Sequence, residues 1–309
     1  MRSRDLISIH DLGRDEVLEI LDLAGRIKAD PGRWSDALAA RTLAMIFEKP
    51  SLRTRVSFEA GMTQLGGHAI ALQGTEIALG KREAVADVAR TLHGMVDGIM
   101  ARTFSHQVLI DLARHASVPV INGLSDHLHP CQALADFLTI RERLGRTEGI
   151  RLAWVGDGNN VAHSLMYAGA KLGAHVTLAT PEGYDPDPGV VERARADGRQ
   201  TGVRIELTRD PADAVRGADV VYTDTWASMG QEAEHDARVA VFRPYQVNAA
   251  LMRLAAPGAL FMHCLPAHRG EEVTDEVMDS PASVVFPQAA NRLHAQKAVL
   301  VLLLGRPGA

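Results

Sequence analysis

The chain has 309 residues, a formal net charge of −5 and a pI of about 6.2. This length predicts two domains, or one large α/β domain, with a substantial hydrophobic core in either case. The acidic balance excludes a general attraction to nucleic acid or to an anionic membrane, so any anion-binding site has to be local. Two cysteines exclude a disulfide framework and are typical of a reducing compartment.

The N-terminal segment MRSRDLISIHDLGRDE contains acidic residues and no long apolar stretch, so it does not resemble a signal peptide. The longest apolar run, Ala298 to Leu304, is far shorter than the roughly 20 residues that span a bilayer. We therefore expect a soluble cytoplasmic protein that binds neither nucleic acid nor membranes.

In the first half of the chain, short apolar runs alternate with segments of helical periodicity. Alternation of this kind predicts a parallel sheet with helices on both faces. The predicted helices cover residues 15–28, 53–66, 83–96 and 106–116, and the predicted strands cover residues 42–47, 68–72, 98–101 and 118–122.

The second half begins after a long predicted helix, within residues 126–144, and the polar segment GRTEG. The predicted strands here cover residues 151–155, 175–180, 218–224 and 259–265, with one helix at 161–172 and a terminal helix at 291–304. We predict an α/β fold of two doubly wound domains, each with a mainly parallel sheet, linked by interdomain helices. The predicted domains are residues 1–140 and 141–289, with residues 290–309 packing back on the first.

The first candidate site lies after strand 42–47, where the sequence reads EKPSLRTR. Ligands of open α/β sheets bind beyond the carboxyl ends of the strands. Ser51 is a helix-start signal, and a helix N-terminus beside Arg53 and Thr54 would suit a phosphate. The alternative is that Arg53 and Arg55 are surface charges near a capped helix.

Two further strand ends in the first half carry polar residues. Arg102 follows strand 98–101, and the motif HPCQ, with His129 and Gln132, comes after strand 118–122. An arginine would neutralise an anion, while the histidine and the glutamine amide would hydrogen-bond a neighbouring carbonyl. Each residue alone could be structural, but together they predict one site.

In the second half, the turn GDGNN follows strand 151–155 and resembles the start of a dinucleotide-binding fingerprint. Val161 occupies the third glycine position, and strand 175–180 ends without an acidic residue, so we expect no nicotinamide cofactor. Asn159 and Asn160 either bind an amino-acid head group or cap the following helix.

Asp224 ends another predicted strand and precedes the loop TWASMGQE, which contains Ser228 and Met229. Cys264 and Leu265 end the strand 259–265. A single cysteine on a strand is often a small buried apolar residue, but its position at a strand end makes Cys264 a candidate site residue. The number and spacing of Cys and His residues do not indicate a zinc site, and we expect no metal.

These motifs together closely resemble the ornithine carbamoyltransferase family, along nearly the whole chain. SxRTR and HPxQ are shared by the wider carbamoyltransferase superfamily, whereas DxxxSMG and HCLP are specific to the ornithine branch. The matching segments occur in the family's order: SLRTR (51–55), Arg102, HPCQ (129–132), GDGNN (156–160), DTWASMGQE (224–232), HCLPAHRG (263–270) and NRLHAQKA (291–298).

The resemblance implies that the first domain binds carbamoyl phosphate and the second binds ornithine, with the active site in the interdomain cleft of a homotrimer that could assemble further. It implies that carbamoyl phosphate is bound by Ser51, Leu52 (through its backbone), Arg53, Thr54, Arg102, His129, Gln132, Cys264, Leu265 and Arg292. It assigns ornithine to Asn160, Asp224, Ser228 and Met229. The implied catalytic residues are Arg102, His129, Asp224 and Cys264.

The chain departs from the family pattern at three positions. Leu52 replaces a threonine, which is tolerable if only the backbone is used. Ala78 replaces the glutamine or histidine through which a neighbouring subunit reaches the phosphate, and Lys81 or Arg82 would then supply that contact. Ala290 replaces a glutamate close to Arg292.

The implied reaction gives citrulline and phosphate without a cofactor. Aspartate as the acceptor is disfavoured because Asp224 would repel a dicarboxylate. Putrescine and N-acetylornithine remain alternative amines, and a non-catalytic nucleotide-binding protein of the same fold is the alternative from another functional class.

Overall fold

A computed structural model describes residues 3–227, 230 and 232–305 of the chain. The described residues fall into two compact units. The first contains the residues up to Leu138 and those from Ala290 onward, and the second contains Thr139–Ala289. Among the described residues, no helix has the length and hydropathy needed to cross a membrane.

The first unit is built on a four-stranded parallel sheet with the strand order β2-β1-β3-β4. Its strands are β1 (Thr42–Phe47), β2 (His68–Gln73), β3 (Gly98–Arg102) and β4 (Val120–Leu124). Its helices are α1 (Arg14–Ala29), α2 (Leu52–Gln64), α3 (Gly74–Ile77), α4 (Val85–His93), α5 (His106–His115) and the first part of α6 (Pro130–Leu144).

Strands β1, β3 and β4 are largely buried, and β3 and β4 are buried along their whole length. Strands buried on both faces are continuous apolar segments, which is why they were recognisable in the sequence. The two strands at the ends of the sheet differ, since β4 is buried whereas β2 consists of exposed and half-buried residues.

The second unit contains a five-stranded parallel sheet with the order β7-β6-β5-β8-β9. Its strands are β5 (Arg151–Val155), β6 (His175–Ala179), β7 (Ile205–Thr208), β8 (Val220–Thr223) and β9 (Leu260–His263). Its helices are α7 (Asn160–Leu172), α8 (Pro188–Thr201), α9 (Pro211–Val215), α10 (His235–Phe242), α11 (Ala249–Met252) and α12 (Asp275–Met278). The last helix, α13 (Val285–Leu304), begins in the second unit, and its residues from Ala290 onward belong to the first.

The predicted fold class is confirmed, since two parallel sheets are each flanked by helices. Several predicted bounds were wrong. The helix expected at 83–96 ends at His93, where Gly94 is its C-cap, and α13 begins at Val285 instead of residue 291. Strand β7 was not predicted because its four residues are mostly exposed or half-buried and lack a continuous apolar run.

The strand order of each sheet places the functional motifs side by side. In the first unit the order reverses between β1 and β3. SLRTR, which follows β1, and Arg102, which ends β3, therefore lie on either side of the reversal. In the second unit it reverses between β5 and β8, so GDGNN and Asp224 flank it. Such a reversal opens a crevice at the carboxyl edge of the sheet, the usual ligand site of this architecture.

Candidate active site

Ser51 starts helix α2 and forms its N-cap. Its hydroxyl oxygen accepts a hydrogen bond from the backbone N–H of Thr54 at 3.2 Å. Because the first backbone N–H groups of a helix have no acceptor within the helix, the first turn of α2 offers donors to an anion. The structure thus places the predicted helix start of SLRTR directly after β1.

The two arginines of SLRTR have different surroundings. Arg55 Nε donates to Glu59 Oε1 at 2.9 Å on the exposed face of α2, as an ordinary i,i+4 ion pair. Arg53 instead lies close enough to His129 for its charge to lower the pKa of that imidazole. The interpretation as surface charges therefore fits Arg55, and the interpretation as an anion site fits Arg53.

His129 is the group on which the first unit's cations converge. Burial lowers its pKa well below the usual value, and the positive charges of Arg292, Arg102 and Arg53 lower that pKa further. The imidazole is consequently neutral at pH 7. A neutral histidine among three arginines can donate one hydrogen bond without adding a fourth positive charge.

A chain of hydrogen bonds connects the buried polar residues of the first unit. Arg292 Nη1 donates to Gln132 Oε1 at 2.7 Å, and Arg292 Nη2 donates to Thr54 Oγ1 at 3.3 Å. Gln132 Nε2 donates in turn to Asp136 Oδ1 at 2.8 Å. The structure thus brings together Thr54, Gln132 and Arg292, which lie far apart in the sequence.

The alanine at position 290 does not leave Arg292 without partners, since its guanidinium bonds to Gln132 and Thr54. Next to it, Asn291 Oδ1 accepts a hydrogen bond from Lys28 Nζ at 2.8 Å. Sequence reasoning missed Asp136. The available signal was its position four residues after Gln132, which places both side chains on one face of α6.

In the second unit Asn159 is the N-cap of α7. Its Oδ1 accepts hydrogen bonds from Val161 N at 2.9 Å and Ala162 N at 3.2 Å. Its Nδ2 donates to Asp224 Oδ2 at 2.8 Å. The capping interpretation is therefore correct for Asn159, whereas ligand binding by Asn160, the first residue of α7, stays a prediction.

Asp224 is the centre of the second unit's polar cluster, directly after β8. In addition to Asn159, its carboxylate accepts hydrogen bonds on Oδ1 from Cys264 Sγ and from Thr225 N, both at 2.8 Å. Only 8% of Asp224 is exposed. A largely buried carboxylate with several donors is suited to bind a cationic or amine group at its remaining open side.

Cys264 is half-buried and hydrogen-bonded to Asp224, so it is not the small buried apolar residue of the alternative interpretation. That description fits Cys131, which is fully buried and whose pKa burial raises to about 11. The backbone after Cys264 turns sharply, because Leu265 has a φ of 59°, in the left-handed region. Leu265 N donates to His263 Nδ1 at 2.8 Å, which holds this turn.

Arg238, on helix α10, was not predicted as a functional residue. It is buried and donates from Nε to Trp226 O at 2.5 Å, forms an ion pair with Asp157, and places its guanidinium over the Tyr184 ring. Burial and the nearby Asp224 raise the pKa of Asp157 to about 6, while Arg238 opposes that shift. Arg238 therefore ties the GDGNN turn to the segment after β8.

Two predicted site residues, Ser228 and Met229, lie outside the described residues. Ala78 is described and ends helix α3 in the left-handed region, with a φ of 46°. In the turn that follows, Arg82 Nη1 donates to Glu76 O at 3.0 Å, and Lys81 is exposed.

Asp224, His263 and Cys264 each place one potential metal-ligating atom within 4.8 Å of the others. Hydrogen bonds occupy these atoms, since His263 Nδ1 accepts from Leu265 and His263 Nε2 contacts Glu272 at 3.2 Å. A metal ion would have to displace them. The absence of a metal from the site stays a prediction.

Two family models match the chain. The carbamoyl-P binding domain of aspartate/ornithine carbamoyltransferase matches residues 4–142, and the Asp/Orn binding domain of the same family matches residues 148–303. Ornithine carbamoyltransferase of Thermococcus kodakarensis is 56% identical over 307 residues, which cover 99% of this chain and 98% of that protein. The anabolic ornithine carbamoyltransferase of Pyrococcus furiosus has the same identity and the same coverages.

Solved structures agree with these matches. The structure of ornithine carbamoyltransferase from Pyrococcus furiosus has a TM-score of 0.95 at 56% identity, covering 97% of this chain and 96% of that one. The anabolic enzyme from Campylobacter jejuni has a TM-score of 0.92 at 38% identity, covering 97% and 98%. With matches along both halves of the sequence and the whole fold, the chain belongs to the ornithine carbamoyltransferase family.

Proposed function

We propose that the chain transfers the carbamoyl group of carbamoyl phosphate to the side-chain amine of L-ornithine, giving L-citrulline and phosphate. The observation that carries the assignment of the site is the chain of hydrogen bonds that joins Thr54, Arg292 and Gln132. Arg53, Arg102 and Arg292 also lie close enough to the buried His129 for their charges to lower its pKa. Three cations match a dianionic phosphate, and a neutral imidazole matches an uncharged carbamoyl group beside it.

The phosphate is bound by the first turn of α2 and by the arginines. Ser51 and Thr54 contribute hydroxyls, and Leu52 contributes its backbone N–H, so the side chain at position 52 is free to vary. The Leu52 side chain is in fact 75% exposed, which supports a role through the backbone alone.

The carbamoyl oxygen gains negative charge as the amine attacks. Arg102, His129 and Thr54 are the donors placed to stabilise that charge, and Gln132 binds the same group. Donors fixed in a buried site stabilise developing charge without reorganising during the reaction. Cys264 and Leu265 are proposed to bind the carbamoyl end of carbamoyl phosphate as well.

The ornithine side-chain amine has to lose a proton before it attacks. A pKa near that of lysine, about 10.4, makes the neutral amine cost about 4.6 kcal/mol at pH 7. Burial lowers an amine's pKa and reduces this cost. Asp224 orients the nitrogen, and Cys264 is its hydrogen-bonding neighbour.

No dedicated general base is required. When the amine nitrogen bonds to the carbamoyl carbon, the bond from that carbon to the phosphate oxygen breaks, and the leaving phosphate accepts the amine proton. Asn160, Ser228 and Met229 are proposed to bind the α-amino and carboxylate groups of ornithine, which distinguishes it from putrescine.

We propose that the chain is a homotrimer capable of further assembly. On the first unit, Leu52 and Val56 are one helical turn apart on α2, and Ile70 lies on the edge strand β2, and all three are exposed. An apolar edge of a parallel sheet is usually covered. In solution we expect a mass about three times the 33.3 kDa of one chain, and a monomer would contradict this proposal.

In such a trimer, Lys81 or Arg82 of a neighbouring copy would take the place of the side chain missing at Ala78. We also propose a cytoplasmic, biosynthetic role in arginine metabolism. Cys131 and Cys264 are both reduced cysteines, which suits a reducing compartment.

The test is colorimetric detection of citrulline-type ureido products from purified protein and carbamoyl phosphate. L-ornithine should give the highest kcat/KM, with putrescine, N-acetylornithine and L-aspartate as the competing acceptors. A higher kcat/KM with any of these three would overturn the assignment to ornithine.

A further inference from the structure

The side-chain amide of Gln132 is held at both ends by charged groups. Its Nε2 donates to Asp136 Oδ1 at 2.8 Å, and its Oε1 accepts from Arg292 Nη1 at 2.7 Å. All three side chains are buried, with exposed fractions of 0% for Asp136, 1% for Gln132 and 3% for Arg292. The amide is therefore surrounded by protein, with an anion on one side and a cation on the other.

This arrangement permits one orientation of the amide. If oxygen and nitrogen exchanged places, the amide N–H groups would face the guanidinium and the oxygen would face the carboxylate. Both hydrogen bonds to charged groups would be lost, and such bonds are among the costliest to lose in a buried site. Asp136 and Arg292 together therefore determine which way Gln132 points.

The fixed orientation leaves one donor for a ligand. Among the described residues, Gln132 Nε2 donates to Asp136 alone, so its second N–H hydrogen remains for another acceptor. Thr54 Oγ1 already accepts from Arg292 Nη2 and from the Ser51 hydroxyl, at 3.3 and 3.1 Å. With Oγ1 accepting both bonds, the hydroxyl hydrogen of Thr54 also remains for another acceptor.

Stability alone does not account for a carboxylate at position 136. Replacing buried ionic groups with well-packed apolar residues is often neutral or stabilising. The second helical turn of α6 would pack with an apolar residue at this position, as it does at Leu134 and Phe137, which are fully buried. The carboxylate gives instead a specific acceptor for Gln132 and a negative charge near Arg292.

We propose that Asp136 is a positioning residue for carbamoyl transfer: it orients the Gln132 amide so that the free N–H meets the carbamoyl group. This inference rests on the proposed function. It does not place Asp136 against the substrate, because Asp136 acts through Gln132.

The chain contains a matched control. On α5, Gln107 Nε2 donates to Asp111 Oδ1 at 2.9 Å with the same i,i+4 spacing, but this pair is exposed. Asp111→Asn removes the same charge from the same kind of pair, away from the site. We expect Asp111→Asn to leave the kinetic constants within about twofold of the wild type.

The experiment measures kcat and KM for carbamoyl phosphate, Ki for inorganic phosphate and the thermal midpoint, in wild type and Asp136→Asn. We expect kcat/KM to fall about tenfold or more, because the introduced amide has no charge to fix the orientation of Gln132. Phosphate inhibition should be unchanged or stronger, since the site loses a negative charge. A parallel loss of phosphate binding would indicate general damage and overturn the proposal.

A double-mutant cycle tests whether Asp136 acts through Gln132. In a Gln132→Ala background, Asp136→Asn should change kcat/KM less than twofold. An equal loss in both backgrounds, or wild-type activity of the single variant, would overturn the proposal. If Asp136→Asn does not fold, the same double-mutant cycle is measured with Asp136→Ser. Absence of citrulline from the wild-type protein would instead refute the proposed function.

Discussion

The thiol of Cys264 donates a hydrogen bond to the carboxylate of Asp224 across 2.8 Å. These residues follow adjacent strands, β9 and β8, and are 40 positions apart in the sequence. The thiol is therefore oriented as a donor, and the Asp224 carboxylate as its acceptor. This geometry supports the proposed role of Cys264 in positioning the amine, without a covalent bond to the substrate.

Substitutions at Cys264 should separate the donor role from a nucleophilic one. Serine keeps a hydroxyl donor toward Asp224, so we expect Cys264→Ser to retain more activity than Cys264→Ala. The loss in Cys264→Ala should be about tenfold or more in kcat/KM for ornithine, with a smaller change in KM for carbamoyl phosphate. Mass spectrometry during turnover should show unmodified Cys264, and a carbamoylated thiol would contradict the direct-attack mechanism.

The two arginines of SLRTR should respond very differently to removal. Arg53→Ala removes a charge that acts on His129, and we expect kcat/KM for carbamoyl phosphate to fall on the order of 10³-fold or more in a folded protein. Arg55→Ala removes only an exposed pair with Glu59, worth about 0.3–0.5 kcal/mol. Steady-state kinetics of both variants compare the roles directly. Similar losses in both would refute the separation.

Arg102→Ala should show a loss of the same order as Arg53→Ala, because this arginine is buried at the end of β3 beside His129. Circular dichroism and thermal unfolding would confirm that the variant folds. Near-normal turnover of a folded Arg102→Ala protein would refute the assignment of the carbamoyl phosphate site.

The low pKa of His129 predicts a stability that depends on pH. The folded protein keeps this imidazole neutral, whereas the unfolded chain takes up a proton below pH 6.5, so the unfolded state is favoured as the pH falls. The contribution cannot exceed about 1.4 kcal/mol per pH unit below that value. Urea unfolding at pH 7.5 and 5.5 should show a smaller loss of stability for His129→Gln than for the wild type. Equal losses would show that His129 is protonated in the folded state.

Removing Arg238 should weaken ornithine binding and destabilise the second unit. Arg238→Ala leaves Asp157 buried without its ion-pair partner, which typically costs about 3–5 kcal/mol. Because Arg238 also holds the Trp226 carbonyl, we expect KM for ornithine to rise more than KM for carbamoyl phosphate. The double variant Asp157→Asn/Arg238→Met should recover part of the unfolding free energy but not the KM. Full recovery of both would show that Arg238 only neutralises Asp157.

Much of this architecture was predictable because strand ends and apolar runs are local features. The predicted strand at 42–47 and that at 151–155 have the observed bounds, β1 and β5, since both are buried apolar runs. The polar residues at the carboxyl ends of β1, β3 and β8 were recognisable as site candidates because parallel strands present these ends on one edge.

The residues that sequence reasoning missed contact partners that are distant in the sequence and come together only through tertiary packing. Arg238 is one of several charged residues around α10, and its contacts with Asp157 and Trp226 arise only in the folded unit. His263 and Glu272 form a fully buried pair behind Cys264 that no local periodicity indicates. Asp136 was the exception, since its spacing from Gln132 was visible, although the role of the pair was not.

The reversal of strand order in the second sheet lies between two segments that contain candidate ornithine-binding residues, both beyond the ends of buried strands. Asp224 and Cys264 follow β8 and β9, which lie on one side of the reversal, and the GDGNN turn follows β5 on the other. The buried strands hold these segments in place, and the residues proposed to bind the amine all lie after the strands. A new acceptor amine could therefore be selected by exchanging the loops after β5 and β8, while the sheet and the carbamoyl phosphate-binding residues, including Cys264 and Leu265 after β9, stay as they are. For an engineer, this makes the second unit an interchangeable acceptor module.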